Sequence, residues 1–473
     1  MDTPINAPLR KLPIGIQSFE KLRSENFLYV DKTALIYRLA QAGNPCFLSR
    51  PRRFGKSLLL SSFEAYFQGK KELFRGLAIE KLEKEWLQYP VLHLSLNAEK
   101  YDSREGLIDI LERQLRQWEE LYRTGGEGIT HSGRFMTVIR RACEQTGRRV
   151  VVLIDEYDKP LLRSFDSQEL QHDFRETLTA FYTVLKDADP WLQFVFITGV
   201  TKFAQVSVFS DLNQLNDISM KSPYAALCGI TKEELVKTFL PELERLAKRR
   251  GISLQEVIDL MERQYDGYHF HPEGVGMFNP FSVLNAFDAE EMGYYWFQTG
   301  TPTYLVDLLK QSDYDIRLLI DGVEVLASAF SEYRAETNNP LPMIYQSGYL
   351  TIKGYDDDVK LYTLGFPNDE VRYGFLNFLV PYYTNVSNDE TGFHIAKFMR
   401  ELKSGDGEAF IERLKIFFSV IPYELSDDTE RHYQVIFHVV FTLLGQFIRS
   451  EVRSSRGRAD AVVHTPTAIY VFE

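Results

Sequence analysis

Phe47-Leu48-Ser49-Arg50-Pro51-Arg52-Arg53-Phe54-Gly55-Lys56-Ser57 decides how the chain is read. A short apolar run enters a loop that ends in Gly-Lys-Ser, and an apolar helix follows from Leu58 to Phe67. Strand, loop and helix in that order are the setting of a phosphate-binding loop, in which backbone N–H groups at the helix N-terminus face an anion. In such a loop Lys56 reaches the β and γ phosphates and the Ser57 hydroxyl takes a place on Mg²⁺. The pattern G-x-x-x-x-G-K-[ST] asks for glycine at position 50, where this chain has Arg50.

A second motif removes the ambiguity of a lone Gly-Lys-Ser. Val150-Val151-Val152-Leu153-Ile154-Asp155-Glu156 is an unbroken apolar run ending in two carboxylates. Continuous apolar runs mark strands buried on both faces of a parallel sheet, and the active groups of such sheets gather at the carboxyl ends. Asp155 is then placed for the Mg²⁺ shell and Glu156 for orienting and polarising an attacking water.

Around these motifs the first half reads as strands Pro45–Ser49, Val91–Leu96, Val150–Ile154, Phe194–Thr198 and Tyr224–Cys228. Helical stretches separate them, among them Ser57–Phe67, Arg104–Tyr122 and Leu170–Lys186. The alternation predicts an α/β fold with a parallel sheet covered on both faces, spanning residues 1–230. Residues 231–335 turn mostly helical, and Thr231-Lys232-Glu233-Glu234 opens that region as a helix start. Residues 336–400 hold a predicted hairpin, with Ile344–Ile352 and Val359–Leu364 as strands around the turn Tyr355–Asp358, as in a winged-helix unit. The three adjacent acids Asp356, Asp357 and Asp358 read as a solvated turn. Residues 401–473 form a last region: helices Lys403–Phe418 and Glu430–Arg449, then strands Ala459–His464 and Ala468–Phe472.

Composition agrees with a multidomain globular protein. At 473 residues roughly two to four domains are expected. The chain is 44% hydrophobic and 14% aromatic, and the longest apolar candidate, Val435–Ile448, is too short for a bilayer and contains His438 and Gln446. No signal-peptide core opens the chain. Cys46, Cys143 and Cys228 are scattered, which fits reduced thiols in the cytoplasm and excludes a disulfide or zinc framework. A net charge of −12 argues against a surface that coats nucleic acid uniformly and leaves room for a local basic site. One such run is Arg449, Arg453, Arg456 and Arg458, which reads equally as a phosphate-tracking stretch or a solvated loop. His269 and His271 flank Phe270 without a third ligand nearby and read as structural.

With these motifs in place, the first ~400 residues resemble the AAA-ATPase-like family found beside PD-(D/E)xK nuclease domains. The resemblance rests on Leu12-Pro13-Ile14-Gly15-Ile16-Gln17-Ser18-Phe19, Tyr29-Val30-Asp31-Lys32-Thr33, the loop 49–57 and Asp155-Glu156-Tyr157-Asp158. It continues in Ile197-Thr198-Gly199-Val200-Thr201-Lys202-Phe203, Tyr265-Asp266-Gly267-Tyr268 and Gln346-Ser347-Gly348-Tyr349-Leu350-Thr351. That family carries arginine at the first glycine position, so the resemblance reconciles Arg50 with nucleotide binding and leaves open how the loop turns. It implies ATP and Mg²⁺ as cofactors. It also implies an adenine site near Tyr29 and Asp31, and phosphate contacts from Arg52, Arg53, Phe54, Gly55, Lys56 and Ser57. Arg52 and Arg53 are alternatively contacts to a neighbouring subunit in a homo-oligomer. Thr198 matches a polar sensor beside the γ-phosphate, or is a strand-end threonine satisfying backbone.

The tail is similar to the nuclease half of the same family. Glu430 opens a helix, Gly457-Arg458-Ala459-Asp460 leads into a strand, and Tyr470-Val471-Phe472-Glu473 closes the next. By that similarity Asp460, Glu473 and Glu430 hold a divalent metal, with Asp460 and Glu473 at neighbouring hairpin ends. The lysine that nuclease family places two residues after its glutamate has no counterpart here, so the sequence reads as a partial nuclease domain. The functional expectation is an ATP-binding, ATP-hydrolysing protein that controls an attached nuclease acting on DNA or RNA, the nuclease being incomplete in this chain and its activity expected only with the missing C-terminal segment. The alternative is a nucleotide-gated regulatory or scaffold protein that binds nucleic acid or a protein partner without cleaving it.

Overall fold

The computed structural model describes residues 11–472 apart from 98–99, 126–129, 165–166, 203–208, 210–213, 298–304, 306–307, 310–311, 313, 332–338, 385–386, 420–428, 446–448, 456–457 and 467. A parallel five-stranded sheet organises the first half. It is built from β1 (Cys46–Ser49), β2 (Val91–Ser95), β3 (Val150–Asp155), β4 (Leu192–Gly199) and β5 (Asn216–Asp217), in the order β2-β3-β4-β1-β5. The central strands β1, β3 and β4 are almost wholly buried, as their unbroken apolar sequences require. Alternate residues of β3 feed separate cores on the two faces. Val151 and Leu153 pack with Phe63, Phe67 and Phe194, whereas Val150, Val152 and Ile154 pack with the helices Arg104–Tyr122, His131–Thr146 and Gln168–Asp187.

The fifth strand is a correction. Tyr224–Cys228 is not extended: Ser222–Tyr224 forms a 3₁₀ turn, and the sheet is completed by Asn216 and Asp217 beside Cys46 and Phe47. Pro223 has no N–H to give a ladder, and the burial of Leu227 and Cys228 supplied the apolar signal without a strand.

After the sheet come the helices Lys232–Arg250, Leu254–Tyr265 and Pro280–Ala289, gathered around Leu235, Phe239, Leu243, Val257, Met261 and Phe287. Thr231 starts the first with a complete capping box to Glu234, and Ser253 starts the second with the same device to Glu256. Leu28 and Val30 join this cluster from the N-terminal segment, so the helical layer closes over the loop side of the sheet.

The segment predicted as the first hairpin strand is split. Leu341–Gln346 is a helix with Pro342 in its first turn, Gly348 breaks it at φ 93°, and only then does β7 (Thr351–Asp356) begin. It pairs with β8 (Leu361–Gly365), and β6 (Val323–Leu326) adds a third antiparallel strand in the order β6-β8-β7. Burial of Leu341, Met343, Ile344, Tyr349 and Leu350 on all sides erased any periodicity that would have separated helix from strand. At the hairpin tip Asp356 accepts the N–H groups of Asp358 and Val359, and Asp357 pairs with Lys360.

The last region packs the helices Asp369–Thr384, Asn388–Ser404, Gly407–Ser419 and Thr429–Leu444 against a three-stranded antiparallel sheet. Its strands are β9 (Arg449–Ser455), β10 (Arg458–His464) and β11 (Ile469–Phe472), with β10 central. Two boundaries differ from expectation. Gly405, at φ 81°, caps one helix before the next starts, so the predicted Lys403–Phe418 helix begins at Gly407 instead. The helix holding Glu430 ends at Leu444, and Arg449 and Arg453 lie on a strand and not in a loop.

Candidate functional site

The phosphate loop runs from the carboxyl end of β1 into the helix Lys56–Phe67. Gly55 caps that helix in the left-handed conformation, φ 88°, and Arg53 adopts φ 69° two residues earlier. These two left-handed residues fold the loop back on itself. Arg50 occupies the turn with a buried guanidinium that donates to the carbonyls of Ser49 (2.9 Å), Ser219 (2.7 Å) and Tyr224 (3.2 Å), and lies 3.9 Å from the centre of the Phe270 ring. The arginine therefore ties the loop to the segment beyond β5, a fixed support where a glycine would have given only freedom. Phe54 anchors the loop from its other side between Tyr268 and Phe270, with ring centres 4.8 and 5.4 Å away.

Lys56 is 7% exposed, and its ammonium donates to the carbonyls of Arg50 (2.9 Å) and Pro51 (3.0 Å). Burial pushes its pKa down, and the nearby charges of Glu156, Asp155 and Asp158 oppose that shift. A cation held by neutral carbonyls in this position suits an incoming anion. Across the loop, Asp155 is 4% exposed and accepts the Thr198 hydroxyl at 2.8 Å. Parallel pairing explains the meeting: β3 and β4 are adjacent, with Ile154 opposite Ile197. Glu156 follows in the left-handed region, φ 52°, an uncommon conformation for a glutamate that turns it off the strand axis into the cavity wall. Its carboxylate lies 3.1 Å from Lys159 Nζ, which also bonds both the carbonyl and the side-chain oxygen of Asn97.

These groups border one cavity of about 670 Å³ between the loop, the sheet ends and the helical layer. At the loop end its lining includes Arg52, Arg53, Phe54, Gly55, Lys56, Ser57 and Glu156; at the apolar end it includes Leu28, Tyr29, Val30, Phe239, Phe281 and Leu284. Asp155 and Thr198, both buried, are not among the residues of that lining. Asp31 is outside it: its carboxylate accepts the N–H and hydroxyl of Thr33 and the N–H of Ala78, fastening two helix starts. Asp158 is also committed, accepting from the backbone of Val200 and Thr201 and from the Thr201 hydroxyl; burial raises its pKa.

Two contacts were not foreseen from residue pattern. Buried Lys32 binds both carboxylate oxygens of Glu234 at 2.7 and 2.6 Å, which joins the segment beside Tyr29 to the cap of the first lid helix. Asn97, two positions past β2, meets Lys159 and so borders Glu156. Only the placement of Asn97 just after β2 hinted at it.

At the other end of the chain Asp460 lies on β10 and Glu430 in the first turn of its helix. Glu473 is outside the described residues. The register pairs Ala461 with Phe472, the neighbours of Asp460 and Glu473. Arg456 is also outside the described residues. Among the described residues no three His, Cys, Asp or Glu side chains gather as a metal cluster. His269 turns to the Gly267 carbonyl and His271 to the Glu273 N–H, so the two rings do not converge. No helix among the described residues is long and apolar enough to cross a membrane.

Sheet, loop and acid pair together define a P-loop protein of the AAA-ATPase-like class. Residues 13–209 match the family model described as a predicted AAA-ATPase, and residues 428–473 match that of the PD-(D/E)XK nuclease superfamily. A protein of Azotobacter chroococcum mcd 1, described as "Uncharacterized protein in vnfD 5'region", is 35% identical over 98% of this chain and 89% of its own length. The chain belongs to this AAA-ATPase-like family, with a PD-(D/E)XK nuclease-like segment at its C-terminal end. Among solved structures, the Aeropyrum pernix ORC2 protein in ADPNP–ADP complexes aligns over 71% of this chain and 88% of that one. It does so at 12% identity and a TM-score of 0.29.

Proposed function

We propose that this protein binds ATP with Mg²⁺ in the 670 Å³ cavity and hydrolyses it, and that the nucleotide state controls the C-terminal nuclease-like region acting on DNA or RNA. The observation that carries the reading is Lys56, a buried ammonium at the head of the loop helix that donates to two loop carbonyls. The residues fit the ligand: a cation and helix N-terminus at one end, apolar side chains sized for a base at the other. Bound MgATP would supply the phosphoanhydride to be cleaved. Lys56 and the loop amides would bind its phosphates, Ser57 and Asp155 would hold the metal, and Tyr29 would border the base. Thr198 would fix the Asp155 carboxylate through their hydrogen bond. Glu156 would accept the proton of an attacking water.

In the same reading Asp460, Glu473 and Glu430 hold a second divalent ion. Residues 1–230, 231–335, 336–400 and 401–473 act as ATPase core, lid, winged-helix-like module and nuclease-like region in a cytoplasmic, homo-oligomeric protein. Calorimetric titration of the full chain with MgATP, followed by measured phosphate release with and without DNA or RNA, tests the proposal. Nucleotide-stimulated cleavage supports control of the nuclease; turnover that alters nucleic-acid binding with no cleavage favours the regulatory scaffold. Absence of nucleotide binding overturns both.

A further inference from the structure

The motif Gln346-Ser347-Gly348-Tyr349 lies far in sequence from the phosphate loop but rests against it. Gly348 has φ 93°, and a Cβ there would come within 2.6 Å of Pro51 Cβ, so the Pro51 ring of the loop is packed as closely as a glycine allows. Beside it the Trp296 indole N–H donates to the Arg52 carbonyl at 3.3 Å. Tyr349 packs edge-on to Trp296 with ring centres 5.0 Å apart, and stands the same distance from Phe375.

Trp296 is also bound from behind. Its backbone N–H donates to Glu370 at 2.9 Å, and the other oxygen of that buried carboxylate accepts the Ser282 hydroxyl of the third lid helix at 2.7 Å. Glu370 opens the helix Asp369–Thr384, whose two faces belong to different cores. Val371, Phe375 and Leu379 pack with the ATPase sheet, whereas Tyr373, Leu376 and Val380 pack with the C-terminal region. A shift of the loop at Pro51 and Arg52 therefore meets Trp296 directly, and Trp296 is fastened to a helix that the C-terminal core shares.

We propose that Trp296 is a positioning residue for the phosphate loop, seated with Gly348 against Pro51 and Arg52, and that it couples the loop to the shared helix. This inference rests on the nucleotide-binding reading and names the route by which nucleotide reaches the C-terminal region. It assigns Trp296 no contact with the nucleotide itself.

The test is hydrogen–deuterium exchange of the full chain with and without saturating MgADP, with calorimetry of the same samples. Wild type should show altered exchange across 369–384 when MgADP binds. Trp296→Phe keeps an aromatic ring and removes the indole donor; it should bind MgADP about five-fold more weakly and lose the exchange response at saturation. A purely structural tryptophan would lower the melting temperature and leave that response intact, which would overturn the proposal. So would wild-type binding with no response in 369–384, a result that needs no variant and leaves the nucleotide reading standing. No binding of MgADP or MgATP by wild type would remove both.

Discussion

The loop site and the Asp460 region both place a carboxylate on a strand, Asp155 as the last residue of β3 and Asp460 as the third of β10, but the two sheets differ in kind. Asp155 ends a strand with neighbours on both sides, β2 and β4, and Thr198 of one neighbour binds its carboxylate. Asp460 belongs to a three-stranded antiparallel sheet whose outer strand, β11, leaves Ile469 64% and Val471 62% exposed. β3 is buried on both faces and Thr198 of its neighbour binds the carboxylate at its end, whereas β10, also flanked on both sides, lies in a small sheet whose outer strand exposes apolar side chains. Two acidic motifs of one chain thus sit in sheets of different depth, one covered on both faces and one with an apolar strand exposed at its edge.

The largest expected effect belongs to the loop. Lys56→Ala should weaken MgATP binding at least about a hundred-fold, because it removes one member of a buried charge interaction; calorimetric titration reads this directly. Undiminished affinity would remove Lys56 as the phosphate contact that sets the loop site apart from the Asp460 region.

Glu156→Gln should keep MgATP affinity within a few-fold and reduce phosphate release by about 10²–10³, the usual contribution of a general base. Steady-state turnover together with equilibrium binding separates the two quantities. A wild-type rate would move the catalytic role away from the left-handed Glu156.

Glu370, at the seam between the two regions, gives a pH-dependent effect. Burial raises its carboxyl to about 7, from an ordinary 4.5. The folded chain then keeps a proton that the unfolded chain has released between about pH 4.5 and 7, so this group's contribution to stability falls as pH rises through that window. A change of this size corresponds to about 3 kcal/mol at most. Glu370→Gln should remove the dependence, and denaturant melts should show the variant gaining on wild type from pH 5 to pH 8. A constant difference across that range would remove Glu370 from the account.

The smallest effect sharpens the contrast by being absent at one site. Asp460→Ala should abolish any Mg²⁺-dependent cleavage of DNA or RNA and leave MgATP affinity within about two-fold, since the two sites lie in different cores and distant, separately packed changes act independently. Cleavage assays and calorimetry on the same preparation decide it. Cleavage surviving the substitution would show that the metal is not held where the nuclease resemblance puts it.

Residue pattern alone placed the parallel sheet. Unbroken apolar runs such as Val150–Ile154 have no reading except burial on both faces, and Gly55-Lys56-Ser57 must follow a strand and open a helix to make chemical sense. The helix Arg104–Tyr122 was legible to its ends because one face is apolar and the other is not. Local pattern failed where burial was complete, as in Leu341–Leu350, or where the strand was two polar residues long, as in Asn216–Asp217. Only tertiary structure could show that Arg50 supports the loop through carbonyls 169 and 174 residues away, that Asp31 is occupied with Thr33 and Ala78, or that Trp296 and Gly348 touch the loop at all. The reason is physical: periodicity records which way a side chain faces along its own element, while a hydrogen bond between distant segments depends on where the whole fold brings them.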